Sequence, residues 1–215
     1  MNEFIKAKNI LIVLFLLSFI AIPLLIISFQ GLPDRTILKE SISVLIILGF
    51  FLMLSEFYLN RANKIFVKTY HMVKLIKFHK IIAYTVVFIF FIHPFLIVLP
   101  RFFEAGVDPL HAFWVMVTNF KSLGIIFGLI AWVLMIILFL TSFFRDKLNM
   151  SPHSWRVLHI ILSILFAISA LWHMIDLGRH SNEIMVIFIF LLVFIASLLL
   201  IKLYFFKNKK EEGVL

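Results

Sequence analysis

The chain has 215 residues, of which 63% are hydrophobic and only 14% charged, and its mean hydropathy is +1.12. Soluble domains are about half apolar and a quarter charged. This composition therefore excludes a water-soluble enzyme, a disordered segment and, despite the net charge of +9, a nucleic-acid-binding protein. Because the sequence contains no cysteine, disulfides, thiolate metal sites and iron–sulfur clusters are excluded as well.

Six apolar stretches follow one another along the chain, and each is long enough to cross a membrane. About 20 mostly apolar residues span the hydrocarbon core of a bilayer. The first stretch is interpreted as a retained helix, because it is longer than the apolar part of a signal peptide and no small-residue cleavage site follows it. The predicted spans are Ile10–Phe29, Ile42–Leu59, Phe78–Leu99, Leu123–Phe144, Trp155–Ile175 and Ile184–Phe206. We expect an all-α membrane bundle that forms a single domain over residues 1–215.

Lysine and arginine are distributed unevenly between the two sides that these spans define. Fifteen lie on the side that holds both termini, and five lie on the opposite side. Cytoplasmic loops carry the excess of positive charge, so both termini are predicted to be cytoplasmic in a multi-pass protein of the cell membrane. This rule and contact with anionic lipid headgroups explain the basic side, and docking of an acidic partner protein is the alternative.

Four of the eight histidines lie within two of the predicted spans, where polar residues are costly and usually mark a functional site. The third span contains His79 and His93, and the fifth contains His159 and His173, and the members of each set are 14 positions apart in the sequence. Fourteen residues complete almost four helical turns, so both imidazoles share one face and stand about 21 Å apart along the axis. Because the two spans run in the same direction, His79 is expected level with His159. His93 is then level with His173 on the outer side.

Two neutral imidazoles on opposite sides of a planar macrocycle are what a six-coordinate haem iron requires. The sequence therefore predicts two b-type haems, one for each pair of histidines. A single intramembrane histidine is more often a packing or interface residue, but four at matched spacing are hard to explain in that way. A zinc site is disfavoured because each pair offers only two ligands and the pairs are too far apart to share one ion.

Three further side chains are candidates for contact with the haems. Arg156 lies one turn before His159 and is a candidate partner of a haem propionate, with the positive-inside signal as the alternative explanation. Phe166 lies seven residues from both histidines of its span, where it either bridges the haems or simply fills the core. Trp172 either shields the edge of the outer haem or belongs to the interfacial belt of tryptophans.

Other features have less specific interpretations. Gly124 and Gly128 form a Gly-x-x-x-Gly motif, which predicts close helix packing. The remaining histidines lie in predicted loops or near helix ends. Of these, His111 and His180 fall on the outer side and are candidates for contact with an electron acceptor, with an ordinary surface role as the alternative.

The histidine pattern resembles the ferric reductase-like transmembrane domain over essentially all six spans. This domain is the haem module of ferric-chelate reductases and NADPH oxidases, and of the haem-binding membrane subunit of a bacterial methionine sulfoxide reductase system. The local sequences of residues 79–84 (HKIIAY) and of residues 154–159 (SWRVLH) agree with this resemblance. The resemblance implies a haem-dependent membrane oxidoreductase that transfers electrons from the cytoplasmic side to an extracytoplasmic acceptor, which is a ferric chelate, oxygen or a partner protein.

The chain departs from this family in one respect. The reductases and oxidases usually continue into a domain that binds FAD and NAD(P)H, but no Gly-x-Gly-x-x-Gly fingerprint occurs in this sequence. We therefore expect no flavin or nicotinamide domain, and a separate cytoplasmic flavoprotein reductase or a quinol as the electron donor. The absence of a flavin domain is similar to the methionine sulfoxide reductase subunit, whereas the four histidines are more similar to the reductases.

Two other functions remain open at this stage. A quinol-linked respiratory subunit of the cytochrome b type also uses paired helices with this histidine spacing, but its ligands lie on the second and fourth helices of a longer chain. A non-redox membrane transporter or scaffold with packing histidines would bind no chromophore. Bound haem would exclude the second alternative, and dependence of haem reduction on quinone would favour the first.

Overall fold

The computed structural model describes residues 2–31, 36–61 and 63–205, which are almost entirely helical and contain no strand. A π-helical turn (Leu17–Ala21) joins the first two helices, and short 3₁₀ turns lie at Glu56–Tyr58 and Arg145–Lys147. The helices are α1 (Asn2–Leu16), α2 (Ile22–Phe29), α3 (Ile37–Ser55), α4 (Lys64–Ala105), α5 (Pro109–Val117), α6 (Leu123–Phe143), α7 (Pro152–Leu177) and α8 (Glu183–Phe205). The prediction of an all-α fold is confirmed.

Six segments of the described chain are long and apolar enough to cross a membrane. They are Ala7–Phe29, Ile37–Tyr58, Lys64–Ala105, Leu123–Phe143, Pro152–Leu177 and Glu183–Ile201. Each overlaps one predicted span, so the six-helix prediction is confirmed and the chain is a multi-pass membrane protein. The predicted end of the sixth span, Phe206, lies outside the described residues. The cytoplasmic position of both termini stays a prediction.

Proline, glycine and small polar side chains set the helix boundaries beside the site. Ser151 caps α7, because its hydroxyl accepts a backbone N–H of the first turn at 3.1 Å, and Pro152 occupies the first helical position. At the other side of the bundle, α4 ends at Gly106 in the left-handed conformation (φ 62°). Asp108 then caps α5, a short helix in a segment that the sequence analysis treats as a connection.

The third span differs most from its prediction, since α4 begins fourteen residues before Phe78. A kink at His71 (φ 60°, ψ 147°) separates its first two turns from the rest of the helix. Those turns are held in place because Tyr70 is buried and its hydroxyl donates a hydrogen bond to the carbonyl oxygen of Lys8 at 2.8 Å. The basic segment before the third span is therefore helical and docked on α1.

Helix packing follows two close pairings, in which α7 lies along α6 and α4 lies along α3. The first span contacts α3, and α8 contacts α2. Four of the most completely buried side chains belong to one core cluster, namely Phe51, Met135, Met185 and Ile189. In contrast, α4 and α7 have little direct backbone packing, so side chains from these two helices meet across the region between them.

One histidine that the sequence analysis placed at the outer surface is buried. His180 is only 2% exposed, its Nε2 lies 2.9 Å from Oε1 of Glu40, and its Nδ1 lies 3.3 Å from Oε1 of Gln30. These contacts tie the loop between α7 and α8 to α2 and α3. The suggestion that His180 contacts an electron acceptor is therefore wrong, because its ring is enclosed by protein.

Candidate cofactor site

Two pairs of histidine side chains lie between α4 and α7. The ring centres of His79 and His159, the first pair, are 6.2 Å apart, and the ring planes are inclined by 73°. The ring centres of His93 and His173, the second pair, are 6.1 Å apart, and the ring planes are inclined by 79°. The structure thus brings together the four predicted ligands, in the pairing expected from their spacing.

These distances suit two imidazoles that share one metal ion. A metal–imidazole bond of about 2.0–2.1 Å on each side, with each ring centre about 1.1 Å behind its nitrogen, separates the ring centres by roughly 6 Å. Within the described residues, no group of three or more His, Cys, Asp or Glu side chains could hold a metal ion. Two ligands on opposite sides match an ion whose remaining ligands come from a macrocycle, so the residues fit a haem at each pair.

The partners of the Nδ1 atoms determine which nitrogen is available to a metal. Nδ1 of His173 donates to the carbonyl oxygen of Gly124 at 2.7 Å, and Nδ1 of His79 contacts the carboxylate of Glu56. Because a carbonyl and a carboxylate only accept hydrogen bonds, these Nδ1 atoms carry a proton, and in the neutral imidazole the lone pair then lies on Nε2. Nδ1 of His159 lies 3.2 Å from the hydroxyl of Ser142.

His93 differs from the other three histidines. Its Nδ1 is buried and forms no hydrogen bond within the described part of the chain. A buried polar atom without a partner costs about 1–3 kcal/mol, and such atoms are concentrated at functional sites. No hydrogen bond from the described residues to Nδ1 therefore fixes the orientation of this ring.

Close contact between α6 and α7 positions the second pair. A Cβ atom on Gly128 would lie only 2.7 Å from Cε1 of His173, so the imidazole rests directly on the backbone of α6. Four residues earlier, Gly124 provides the carbonyl oxygen that accepts the Nδ1–H of the same ring. The Gly-x-x-x-Gly motif thus has its predicted packing role, and it also supports a candidate ligand.

Asp176 fixes the same end of α6 and α7. Its Oδ2 accepts the N–H of Gly124 at 2.9 Å and the hydroxyl of Ser122 at 3.1 Å. Ser122 precedes α6 but makes no capping bond with its own side chain. Asp176, one turn beyond His173, therefore acts as the N-cap of the neighbouring helix and sets the height of Gly124 relative to that ring.

Replacing Asp176 by alanine is expected to lower the stability of the purified protein by about 0.5–2 kcal/mol, the usual cost of losing a helix N-cap. The substitution removes the hydrogen bond that caps α6 and also the hydrogen bond from the Ser122 hydroxyl. Thermal unfolding in detergent measures the change. Glu183→Ala, which removes an exposed acid from the first turn of α8, is the control, and equal midpoints for the two variants would contradict the capping role.

An aromatic side chain orients the first pair. The indole of Trp155 stacks on the ring of His159 at 5.0 Å, and its Nε1 donates to the carbonyl oxygen of Thr141 at 3.1 Å. The guanidinium of Arg145 lies 4.5 Å from the centre of the same indole. This stack was not anticipated from the sequence, where Trp155 only marks the start of a span.

The other predicted contacts occupy different positions. Phe166 is buried in the layer between the two pairs and meets Phe90 edge-on, with ring centres 6.4 Å apart. Trp172 is half exposed and packs on Phe127 at 5.6 Å. Arg156 is exposed in the first turn of α7. Their roles toward a haem stay predictions.

Glu56 is the most informative residue that the sequence analysis did not assign to the site. It is the sole acidic residue within the six predicted spans, and an ionisable group at that depth is a functional candidate by default. The position of an acid within an apolar span was therefore a signal from which a functional role of Glu56 could have been inferred. Its partner, His79, is apparent only from the packing of α3 on α4.

Comparison with known families agrees with this geometry. Residues 45–170 match the family described as ferric reductase like transmembrane component. The chain belongs to this family. The match includes His79, His93 and His159, and it ends three residues before His173. This ferric reductase-like chain is therefore, in general terms, a membrane oxidoreductase, and the resemblance stated from the sequence is confirmed.

A similar protein of known sequence extends the comparison. The chain is 34% identical over 166 residues to an uncharacterized protein of Archaeoglobus fulgidus, and the alignment covers 77% of this chain and 90% of that protein. No solved structure matches the chain.

Proposed function

We propose that this ferric reductase-like protein carries single electrons across the membrane by means of two b-type haems, one held by each histidine pair. The observation that carries the proposal is the separation of the ring centres, 6.2 Å in the first pair and 6.1 Å in the second. Haem supplies reversible one-electron chemistry, while the protein provides the axial ligands, the spacing and the polarity.

The proposed function is electron transfer rather than binding of a small molecule at the metal. Two imidazoles would occupy both remaining coordination positions of a haem iron at each pair, and would leave none for a small molecule. The separation of about 21 Å between the two histidines of one helix is most of the roughly 30 Å hydrocarbon core. Two haem sites at these depths would divide the path of an electron across the membrane into shorter steps, and the buried Phe166 lies between the two sites.

The direction of transfer follows from the predicted orientation. The excess of lysine and arginine places the first pair near the cytoplasm, where the exposed Arg156 is a candidate partner for a haem propionate. A flavoprotein reductase with an acidic docking surface, or a quinol, would donate electrons there. An extracytoplasmic ferric chelate, oxygen or partner protein would receive them beside the second pair, where Trp172 is a candidate shield of the haem edge.

Haem content tests this proposal directly. The protein purified in detergent after expression with ample haem is expected to contain about two haems per chain by the pyridine haemochromogen assay. His93→Ala and His159→Ala, one variant from each pair, are each expected to retain one haem. Reduced-minus-oxidised spectra with dithionite would show the corresponding loss of amplitude.

A matched variant controls for the loss of a histidine as such. His111 is exposed on α5, away from both pairs, so His111→Ala is expected to retain both haems. A wild-type chain without haem would overturn the proposal. Full haem content in both His93→Ala and His159→Ala would also overturn it.

A further inference from the structure

An acidic side chain contacts only one of the two histidine pairs. Glu56 lies at the end of α3, and its carboxylate is directly against Nδ1 of His79. The side chain is only 14% exposed, and its oxygens form no hydrogen bond with any other described residue. Glu56 is therefore dedicated to the first pair.

The turn that carries Glu56 is firmly anchored. Tyr58, two residues later, donates its hydroxyl hydrogen to the carbonyl oxygen of Leu192 on α8 at 2.6 Å. The backbone N–H of Leu59 closes the turn onto the carbonyl oxygen of Glu56 at 3.2 Å. A carboxylate is expensive at this depth unless a partner compensates it, so a fixed turn that directs it at an imidazole indicates a specific task.

The partners of the other three candidate ligands are neutral or absent. Nδ1 of His173 bonds to a backbone carbonyl, Nδ1 of His159 lies beside the hydroxyl of Ser142, and Nδ1 of His93 has no partner among the described residues. Asp176 is the acid nearest in sequence to the second pair. Its Oδ2 binds Gly124 N–H and Ser122 rather than an imidazole, and it is exposed, where water and salt screen its charge.

We propose that Glu56 is a positioning residue that lowers the reduction potential at the first pair relative to the second, and so directs electrons from the first pair to the second. A carboxylate on Nδ1–H makes Nε2 a stronger donor to the metal. Its negative charge also favours the oxidised ion, which carries one more positive charge than the reduced ion. A single electron that passes from the first pair to the second then moves to the higher potential, without any change in covalent bonds.

This inference rests on the proposed haem sites, and single-haem variants make its test specific. His93→Ala is expected to retain only the haem of the first pair, and His159→Ala only that of the second. Spectroelectrochemical titration of each variant, with and without Glu56→Gln, measures the midpoint potentials separately. In the His93→Ala chain, Glu56→Gln is expected to favour reduction at least tenfold, an upward shift of about 59 mV for one electron.

Two controls accompany this measurement. In the His159→Ala chain, Glu56→Gln is expected to leave the potential unchanged, because no contact joins Glu56 to the second pair. Glu40→Gln in the His93→Ala chain is the matched control, because Glu40 is also a shielded acid but lies near the start of α3 and contacts His180. It is also expected to leave the potential unchanged.

The outcomes separate this inference from the proposed function. A wild-type chain without haem would contradict the proposed function itself. Haem binding with an unchanged potential in Glu56→Gln, or with equal shifts at both pairs, would overturn the role of Glu56 alone. If Glu56→Gln loses the haem of the first pair, the midpoint potential is measured in Glu56→Asp instead. That variant retains the carboxylate but has a shorter side chain. A higher potential in that variant supports the inference, and an unchanged one overturns it.

Discussion

Vesicles that contain the His173→Ala variant are expected to transfer electrons across their membrane no faster than vesicles without protein. The substitution removes one of the two side chains of the second pair, whose ring centres lie 6.1 Å apart in the intact protein. The first pair lies about 21 Å away along the helices, so the remaining site leaves most of the roughly 30 Å apolar core uncrossed. We therefore expect electron transfer across the membrane to need both pairs.

The measurement uses ferricyanide enclosed in vesicles and dithionite added outside, since neither charged reagent crosses the bilayer readily. Wild-type vesicles are expected to lose the absorbance of ferricyanide much faster than empty ones. His153→Ala vesicles should behave as wild type, because that histidine is exposed in the first turn of α7 and belongs to neither pair. Transfer at the wild-type rate by His173→Ala, with one haem remaining, would refute the need for the second pair.

Replacing Gly128 by alanine is expected to reduce haem binding at the second pair about ten- to hundredfold while the first pair retains its haem. The new Cβ would lie 2.7 Å from Cε1 of His173, which is a steric clash between two carbon atoms. Either the imidazole turns away or α7 moves outward, and both changes break the bond from Nδ1 to the carbonyl oxygen of Gly124. A displacement of about 1 Å is enough to impair such a site.

Haem content of Gly128→Ala, titrated against added haem, measures this effect. Ile130→Ala is the matched control, since Ile130 lies on the same helix and is 42% exposed, away from the histidines. The control is expected to retain both haems. Equal haem affinity in Gly128→Ala and in the wild type would show that His173 does not need the close approach of α6.

Each candidate ligand helix is supported by a neighbour that carries no ligand. Helix α3 brings Glu56 to His79, and α6 brings Ser142 to His159 and the Gly124 carbonyl to His173. Ser142 and Gly124 lie on α6, and Glu56 lies on the 3₁₀ turn that directly follows α3. Their positions are determined by extensive packing of α3 on α4 and of α6 on α7. If these histidines hold a metal ion, such support would keep their orientation constant when the charge of the ion changes.

The sequence by itself determines the class of protein and the spacing within each ligand helix. Apolar stretches of about 20 residues define membrane spans irrespective of their neighbours, because the bilayer is the surrounding solvent. The 14-residue spacing from His79 to His93, and from His159 to His173, places both members of each set on one face through helix geometry alone. These local rules are why the six spans and the histidine pattern could be predicted.

Only the tertiary structure decides which groups meet these faces. Glu56 reaches His79 from a different helix, the backbone of Gly124 meets the ring of His173, and His180 is enclosed rather than exposed. Periodicity determines the direction of a side chain from its own helix, but it contains no information about the rotation, depth or identity of the helix opposite. Those depend on how side chains of distant segments pack together, which is a property of the whole bundle.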